Sequence, residues 1–460
     1  MKKNFLKLTW LLFIILVGLG GCRKEDDLNV DIPSMNPDEP LENTALDQWL
    51  TTTFLDPYNM DVVYRYNRYY GDVARNITPP KVENVQPMMQ IVLDGFIKIY
   101  EEIAGKTFSK SYLPKEWVLF GSNSYPSSGS PLAGDAAAGR RIRLYGLNNG
   151  DAFSPGSIAG KLQVVHHEFT HILNQLVAMP TDFESISKRD YSATWSTLSR
   201  DSTHKLGFVT SYASGSAGED FAETVSYLLI NGQPWYDYWA NTSTAEGRAN
   251  LIAKEQSAIS YFQTGFGIDF KVLQKTMQTY LKDVIKVDGI SFAYWLNQNL
   301  YKTMDINISD GLYLTYGISA DFKKAYDDFN TQMQARYTAH YHVDYLQFIF
   351  NSDEDLVVRA YFTAASGGTQ YAGDYAFKMN VDQQSGATSF TKVDQPDGTT
   401  YSNGNLFLDL FESTIQQYLT SHEFMADWIP DELPADEFTT IAGFYVNGDK
   451  NDKFYGTLGH

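Results

Sequence analysis

His167-Glu168-Phe169-Thr170-His171 places two imidazoles four residues apart, with a carboxylate beside the first. On a helix, residues four apart share a face with about 5–6 Å between Cβ atoms, so His167 and His171 can reach one metal ion. Glu168 stands about 100° round from His167, where it can reach a metal-bound water without ligating the metal. Val165, Phe169, Ile172 and Leu176 cluster on the opposite side. The spacing therefore predicts a helix with an apolar back to bury and a polar face that carries both histidines. The chemistry this suits is hydrolysis at zinc.

A tetrahedral catalytic zinc needs a third protein ligand and keeps its fourth position for water. An extended motif of the metzincin type would place Gly at 174 and His at 177; the chain has Asn174 and Val177, which exclude it. The better candidate lies in SYASGSAGEDFAETVSYLL, residues 211–229. Glu219 and Glu223 are four apart, while Phe221, Val225 and Leu228 fall on the other side of the same predicted helix. A second helix with a carboxylate face can lie beside the first and offer Glu219 to the metal.

The elements that must position these residues follow from pattern. Pro155-Gly156-Ser157 opens the histidine helix. Helices are expected near 46–54 and 88–104, the second beginning just after Pro87, and again near 219–230, 245–264, 269–285 and 320–337. Alternation predicts strands at 61–68, 117–120 and 141–145. Pro-Ser-Ser-Gly-Ser-Pro at 126–131 is a loop. After 340 the texture changes to strands at 341–350, 356–363, 374–381 and 438–446, separated by Gly, Asp and Asn turns. The expected boundary lies near 335–340.

Lys2, Lys3 and Lys7 precede a short apolar run that ends in Leu19-Gly20-Gly21-Cys22. That run is too short for a stable membrane span and marks a signal peptide over 1–21. Leu-Gly-Gly-Cys resembles the lipobox of bacterial lipoproteins, in which the cysteine, here Cys22, is lipidated. Cys22 is the only cysteine, so neither an internal disulfide nor a cysteine zinc site is available. Residues 22–44, rich in Pro, Asp and Asn towards their end, form a tether. The acidic Glu25-Asp26-Asp27 resembles the surface-export signal of Bacteroidetes lipoproteins, which implies an outer-membrane lipoprotein exposed at the cell surface. The net charge is −19, and loss of the three leader lysines takes it to −22. Such a chain excludes nucleic acid as a partner and electrostatic adhesion to anionic lipid; the acyl chains would be the anchor.

The glutamate pattern after the histidine motif resembles gluzincin-type metallopeptidases, the lethal-factor-type toxin peptidases in particular. That resemblance implies that Glu219 is the third zinc ligand. It also implies that the tyrosine seven residues earlier, Tyr212, faces the reaction centre. The lipobox, His166-His167-Glu168-Phe169-Thr170-His171, Gly207–Ala213 and Glu219–Glu223 together resemble the zinc metallopeptidase lipoproteins of Bacteroidetes, over roughly 45–290. The family is associated with SusC/SusD-type nutrient import complexes. The resemblance implies an α+β fold: a zincin-like metallopeptidase domain over 45–335 with an α-rich C-terminal half. A separate β-rich domain, sandwich or barrel-like, follows over 336–460. One Zn²⁺ is expected on His167, His171 and Glu219, with Glu168 as general base and Tyr212 as oxyanion donor. Glu223, with Asp220 as the alternative, would orient a ligand histidine. A peptide or protein is the expected substrate, and 140–145 is a strand with which it could pair. The second reading is a non-catalytic binding or accessory lipoprotein of a SusC/SusD-type import complex.

The remaining histidines have plainer readings. His166 points away from His167 and is expected to be packed. His340 and His342 would share one face of a strand, and His204, His422 and His460 carry no pattern.

Overall fold

The structure, a computed structural model of the chain, describes residues 43–67, 69–71, 75–124, 134–137, 140–352 and 354–460. The signal peptide, Cys22, most of the tether and the 126–131 loop lie outside the described residues. Of residues 1–49, the described part begins a helix, Ala45–Leu50, in which Thr44 and Asp47 cap one another reciprocally. Residues 50–460 form one compact unit.

In that unit a four-stranded sheet comes first: β1 (Asp61–Val63), β2 (Glu116–Leu119), β3 (Gly134–Ala137) and β4 (Arg141–Leu144), in the order β1-β2-β4-β3. The first three in that order run parallel, and β3 lies antiparallel on β4. The 140–145 strand is therefore interior, paired on both sides. Among the described residues, the edge strand on that side is β3, a short segment with too little alternation to be legible as a strand.

Helices α1 (Val82–Val92) and α2 (Lys98–Tyr112) cover the sheet, joined by a wider turn at Leu93–Ile97. Pro87 sits inside α1 rather than before it. In the second turn a proline forfeits one backbone bond, and Val85, Met88, Met89 and Val92, all buried, supply the packing that tolerates it. Phe96 bridges sheet and helix layers: its ring is 6.0 Å from Trp117 and 5.1 Å from Phe169.

The histidine helix is α3 (Pro155–Asn174), with Ser154 as its N-cap and Pro155 in its first turn. Val165, Phe169 and Ile172 are buried as expected. Leu176 is not: the helix ends at Asn174, so Leu176 leaves the apolar face and is 53% exposed. Four longer helices dominate the α-rich half: α4 (Ala217–Ile230), α5 (Gly232–Asn241), α6 (Ala245–Phe266) and α7 (Phe270–Tyr280). Among the described residues, no helix is long and apolar enough to cross a membrane.

The C-terminal part is a closed eight-stranded barrel. Its strands are β5 (Thr303–Ile306), β6 (His342–Phe350), β7 (Asp355–Thr363), β8 (Tyr371–Val381), β9 (Ala387–Lys392), β10 (Phe424–Asp427), β11 (Ile441–Val446) and β12 (Asp449–Gly459). Each pairs antiparallel with its neighbour, and β12 closes on β5. Closure removes both sheet edges, which settles the sandwich-or-barrel alternative. The interior is filled by phenylalanines, among them Phe348, Phe390, Phe424, Phe444 and Phe454. Helix α8 (Ala320–Arg336) adds Phe322 and Phe329 to the same core. That core begins at Phe292, and β5 is a barrel strand. The barrel thus takes up chain from before the expected boundary at 335–340, and α8 belongs to its core. Trp428 donates from its indole to the Ile290 carbonyl (2.8 Å), and Lys282 pairs with Asp427 (2.9 Å). These contacts tie the barrel to the helical half.

Candidate metal centre

Helix α4 packs along α3 and brings the two polar faces together. Its own start is fixed by Ser216, whose hydroxyl accepts from the Glu219 amide at 3.3 Å. That cap places Glu219 in the first turn, where the helix dipole favours a carboxylate. Phe221, Val225 and Leu228 are fully buried behind it. The result is a cluster of His167, His171 and Glu219. His167 Nε2 lies 3.1 Å from Glu219 Oε2 and 3.1 Å from His171 Nε2, and His171 Nε2 lies 3.2 Å from Glu219 Oε2.

These three atoms form a nearly equilateral triangle. Ligand atoms on a tetrahedral zinc with bonds near 2.05 Å stand about 3.3 Å apart, so the triangle fits that ion closely. The donor chemistry agrees. Two imidazole nitrogens face each other and one carboxylate oxygen, and no placement of ring protons satisfies all three contacts. Burial would depress the His167 pKa, but Glu219, Glu223 and Glu168 favour positive charge there and hold it at about 10. Burial likewise opposes the charge on Glu219, yet His167 and His171 keep its carboxyl far below the usual range. The site is built around a positive charge.

Glu223 Oε1 is 2.8 Å from His167 Nδ1, an ion-pair contact without hydrogen-bond geometry. Thr210 Oγ1 donates to Glu223 Oε2 at 2.7 Å and accepts from the Ala213 amide at 3.0 Å. Of the two acids weighed for orienting a ligand histidine, Glu223 makes the contact. Asp220 faces away, paired with Lys254 at 2.8 Å, both side chains having no exposure. Burial pushes Asp220 up to about 6 despite that partner.

Tyr212 opens a short 3₁₀ turn, Tyr212–Gly215. Its ring is 5.9 Å from that of His167, and it is 37% exposed. Burial first, then the Glu219 charge and the hydrogen bond that the phenol donates to that carboxylate, push its pKa upward, so the phenol stays a donor. Glu168 is half-buried and near enough to act electrostatically on both His167 and Tyr212.

A family model described as "Putative zinc-binding metallo-peptidase" matches residues 39–271, just over half of the chain. The chain belongs to that family. A zinc-binding metallo-peptidase of this kind uses the ion that the His167–His171–Glu219 cluster fits. Among solved structures the chain is similar to one titled "Crystal structure of a putative zinc-binding metallo-peptidase from Bacteroides caccae". Identity is 26%, over 53% of this chain and 93% of that one, with a TM-score of 0.46. No curated protein matches.

The metallo-peptidase site also holds residues that sequence reasoning passed over. Thr210 grips Glu223, and Trp195 meets the Tyr212 ring edge-on at 4.9 Å. Trp195 lies against Gly215, where a Cβ would come within 3.0 Å of its ring, and Ser192 donates its amide to the Ser214 carbonyl (2.8 Å). Nothing periodic marks either residue; only their place around Tyr212 does. His166 is packed, as expected. It lies 5.4 Å from Phe96 with Nδ1 3.4 Å from the Tyr100 hydroxyl, and burial drives its pKa down to about 3. His340 and His342 do not share a strand face. His340 adopts a positive φ before β6 begins and contacts the Gln334 carbonyl, while His342 pairs with Asp344.

Proposed function

We propose that this protein is a surface-anchored zinc-dependent peptidase in which His167, His171 and Glu219 hold the metal. The observation that carries the reading is the triangle of three donor atoms from two helices, each edge within 3.2 Å, with Glu168 and Tyr212 beside it. Zinc, when bound, supplies Lewis-acid polarisation of the scissile carbonyl and a water of lowered pKa. Glu168 takes the attacking water's proton and delivers it to the leaving amine. Tyr212 donates its phenolic hydrogen to the developing oxyanion. Glu223, 2.8 Å from His167 Nδ1, favours the proton on that nitrogen and so leaves the Nε2 lone pair for the metal. An extended substrate would add as a further strand beside β3, the edge strand of that sheet.

The test is Glu168→Gln in the zinc-loaded protein, assayed with a library of fluorescence-quenched peptides. The variant keeps its zinc and loses about 10²-fold or more in turnover, the worth of a positioned general base. Undiminished cleavage would contradict the scheme.

The reading extends to an outer-membrane lipoprotein held by acyl chains on Cys22 and working beside a SusC/SusD-type import complex. The lipobox residues support the anchor, and family resemblance supports the association. Cys22→Ala should abolish incorporation of labelled palmitate and release the protein from membranes; labelling that persists sinks the anchor. Purification of the anchored protein without any import transporter would sink the association.

A further inference from the structure

Five consecutive backbone carbonyls lie just before Thr210 and Tyr212, and each accepts a hydrogen bond from a side chain. His204 O accepts from Ser243 Oγ (2.7 Å), and Lys205 O from Thr244 Oγ1 (2.7 Å). Leu206 O accepts from Asn250 Nδ2 (3.1 Å), Gly207 O from Lys254 Nζ (2.7 Å), and Phe208 O from Trp239 Nε1 (3.0 Å). All the donors come from α5, α6 and the turn between them. The approach is close enough to require glycine. Gly207 has φ +87°, and a Cβ there would fall 2.7 Å from both the Gly247 carbonyl and the Asn250 Cβ. The first two carbonyls end the helix Arg200–Lys205, and the other three open the loop that follows. That loop is fixed in register along two helices, and three residues after the clamped Gly207 it delivers Thr210 to Glu223.

Lys254 is the charged member of the set. Its ammonium is wholly buried, sits 4.0 Å above the Phe208 ring and meets Asp220 Oδ2 at 2.8 Å. Asp220 also accepts from the Tyr191 hydroxyl at 3.0 Å. Asp220 is the neighbour of Glu219 on α4. One side chain from α6 thus grips both the loop that carries Thr210 and Tyr212 and the helix that carries Glu219 and Glu223.

We propose that Lys254 is a positioning residue of the peptidase site, holding the Tyr212 loop in register with the Glu219 helix through the Gly207 carbonyl and the Asp220 carboxylate. Its effect on turnover rests on the peptidase reading above; its effect on the loop does not. Hydrogen bonds to charged groups are the stronger kind, and in a buried site they have no water to replace them.

The experiment compares the full zinc-loaded chain with Lys254→Met/Asp220→Asn, and with Asn250→Ala. The double variant removes both buried charges together, because removing one alone leaves the other unpaired and endangers folding. Asn250→Ala keeps the ion pair and removes one neutral clamp. Unfolding temperature, zinc content, amide hydrogen exchange over 207–213 and turnover of a quenched-peptide library are read for each. In the double variant zinc stays bound and exchange over 207–213 rises about tenfold or more, while exchange over α3 does not change. The library's kcat falls about 10- to 100-fold with KM little changed, since a displaced Tyr212 acts on the transition state rather than on binding. Asn250→Ala gives a smaller rise confined to the same segment. Unchanged exchange over 207–213 in the folded double variant, or a rise no larger than that of Asn250→Ala, overturns the inference. If the parent cleaves nothing, the peptidase reading fails, and the exchange data still decide the role of Lys254.

Discussion

Glu223 shows how one residue's chemistry depends on its neighbours. One of its oxygens lies 2.8 Å from His167 Nδ1 and the other accepts from Thr210, so in the proposed site it would bias the ring's tautomer while its own position is held. Such partners of a ligating histidine are worth about 10- to 100-fold in metal affinity. Glu223→Gln should therefore weaken zinc by that factor in competition with a chromophoric chelator, with little change in secondary structure. An unchanged affinity would mean that the contact is incidental. At this scale the sequence was informative because helical spacing is a geometric constraint. Two histidines four apart, and two glutamates four apart, converge once their helices lie side by side. It was silent on Thr210 and Trp195, whose roles come from tertiary contact with Tyr212 and Glu223.

The elements repeat the lesson with more exceptions. Helix α4 begins at Ala217, close to the expected 219, because Ser216 is a good cap and the run behind it is strongly amphipathic. Ser216→Ala should cost about 1 kcal/mol of stability in thermal or chemical unfolding. It should also loosen zinc, since Glu219 lies in the turn that the cap starts. A stability loss without any change in zinc affinity would show that the cap does not position the ligand. Pro87 misled because tertiary packing outweighs one lost backbone bond. Leu176 misled because the apolar pattern runs on past the physical end of α3. β4 offered a clean apolar alternation, but alternation reports a strand and not whether its edges are free; β3, which holds the edge, is too short and small-residued to be seen.

At the scale of the molecule, the peptidase half was legible and the barrel less so. β9, β10 and β12 carry Ser, Thr, Lys, Asp and Gly among their apolar positions, so their alternation is weak. The helical stretch within 399–420 interrupts them. β5 lies before α8, and only closure onto β12 reveals it as part of the barrel. The two halves nevertheless share one compact unit, with Trp428 and Lys282 as fixed points between them. Long-range closure of this kind has no local signature, whereas the metal centre has one on each of its two helices.

The most direct test is zinc content, by mass spectrometry, of purified residues 23–460 and of the same chain with Glu219→Ala, after both are offered zinc at neutral pH. About one zinc in the parent is predicted, with loss or marked weakening in the variant, because a catalytic site needs its third protein ligand. No zinc in the parent, or equal zinc in both proteins, would contradict the assignment of His167, His171 and Glu219 as the metal's ligands.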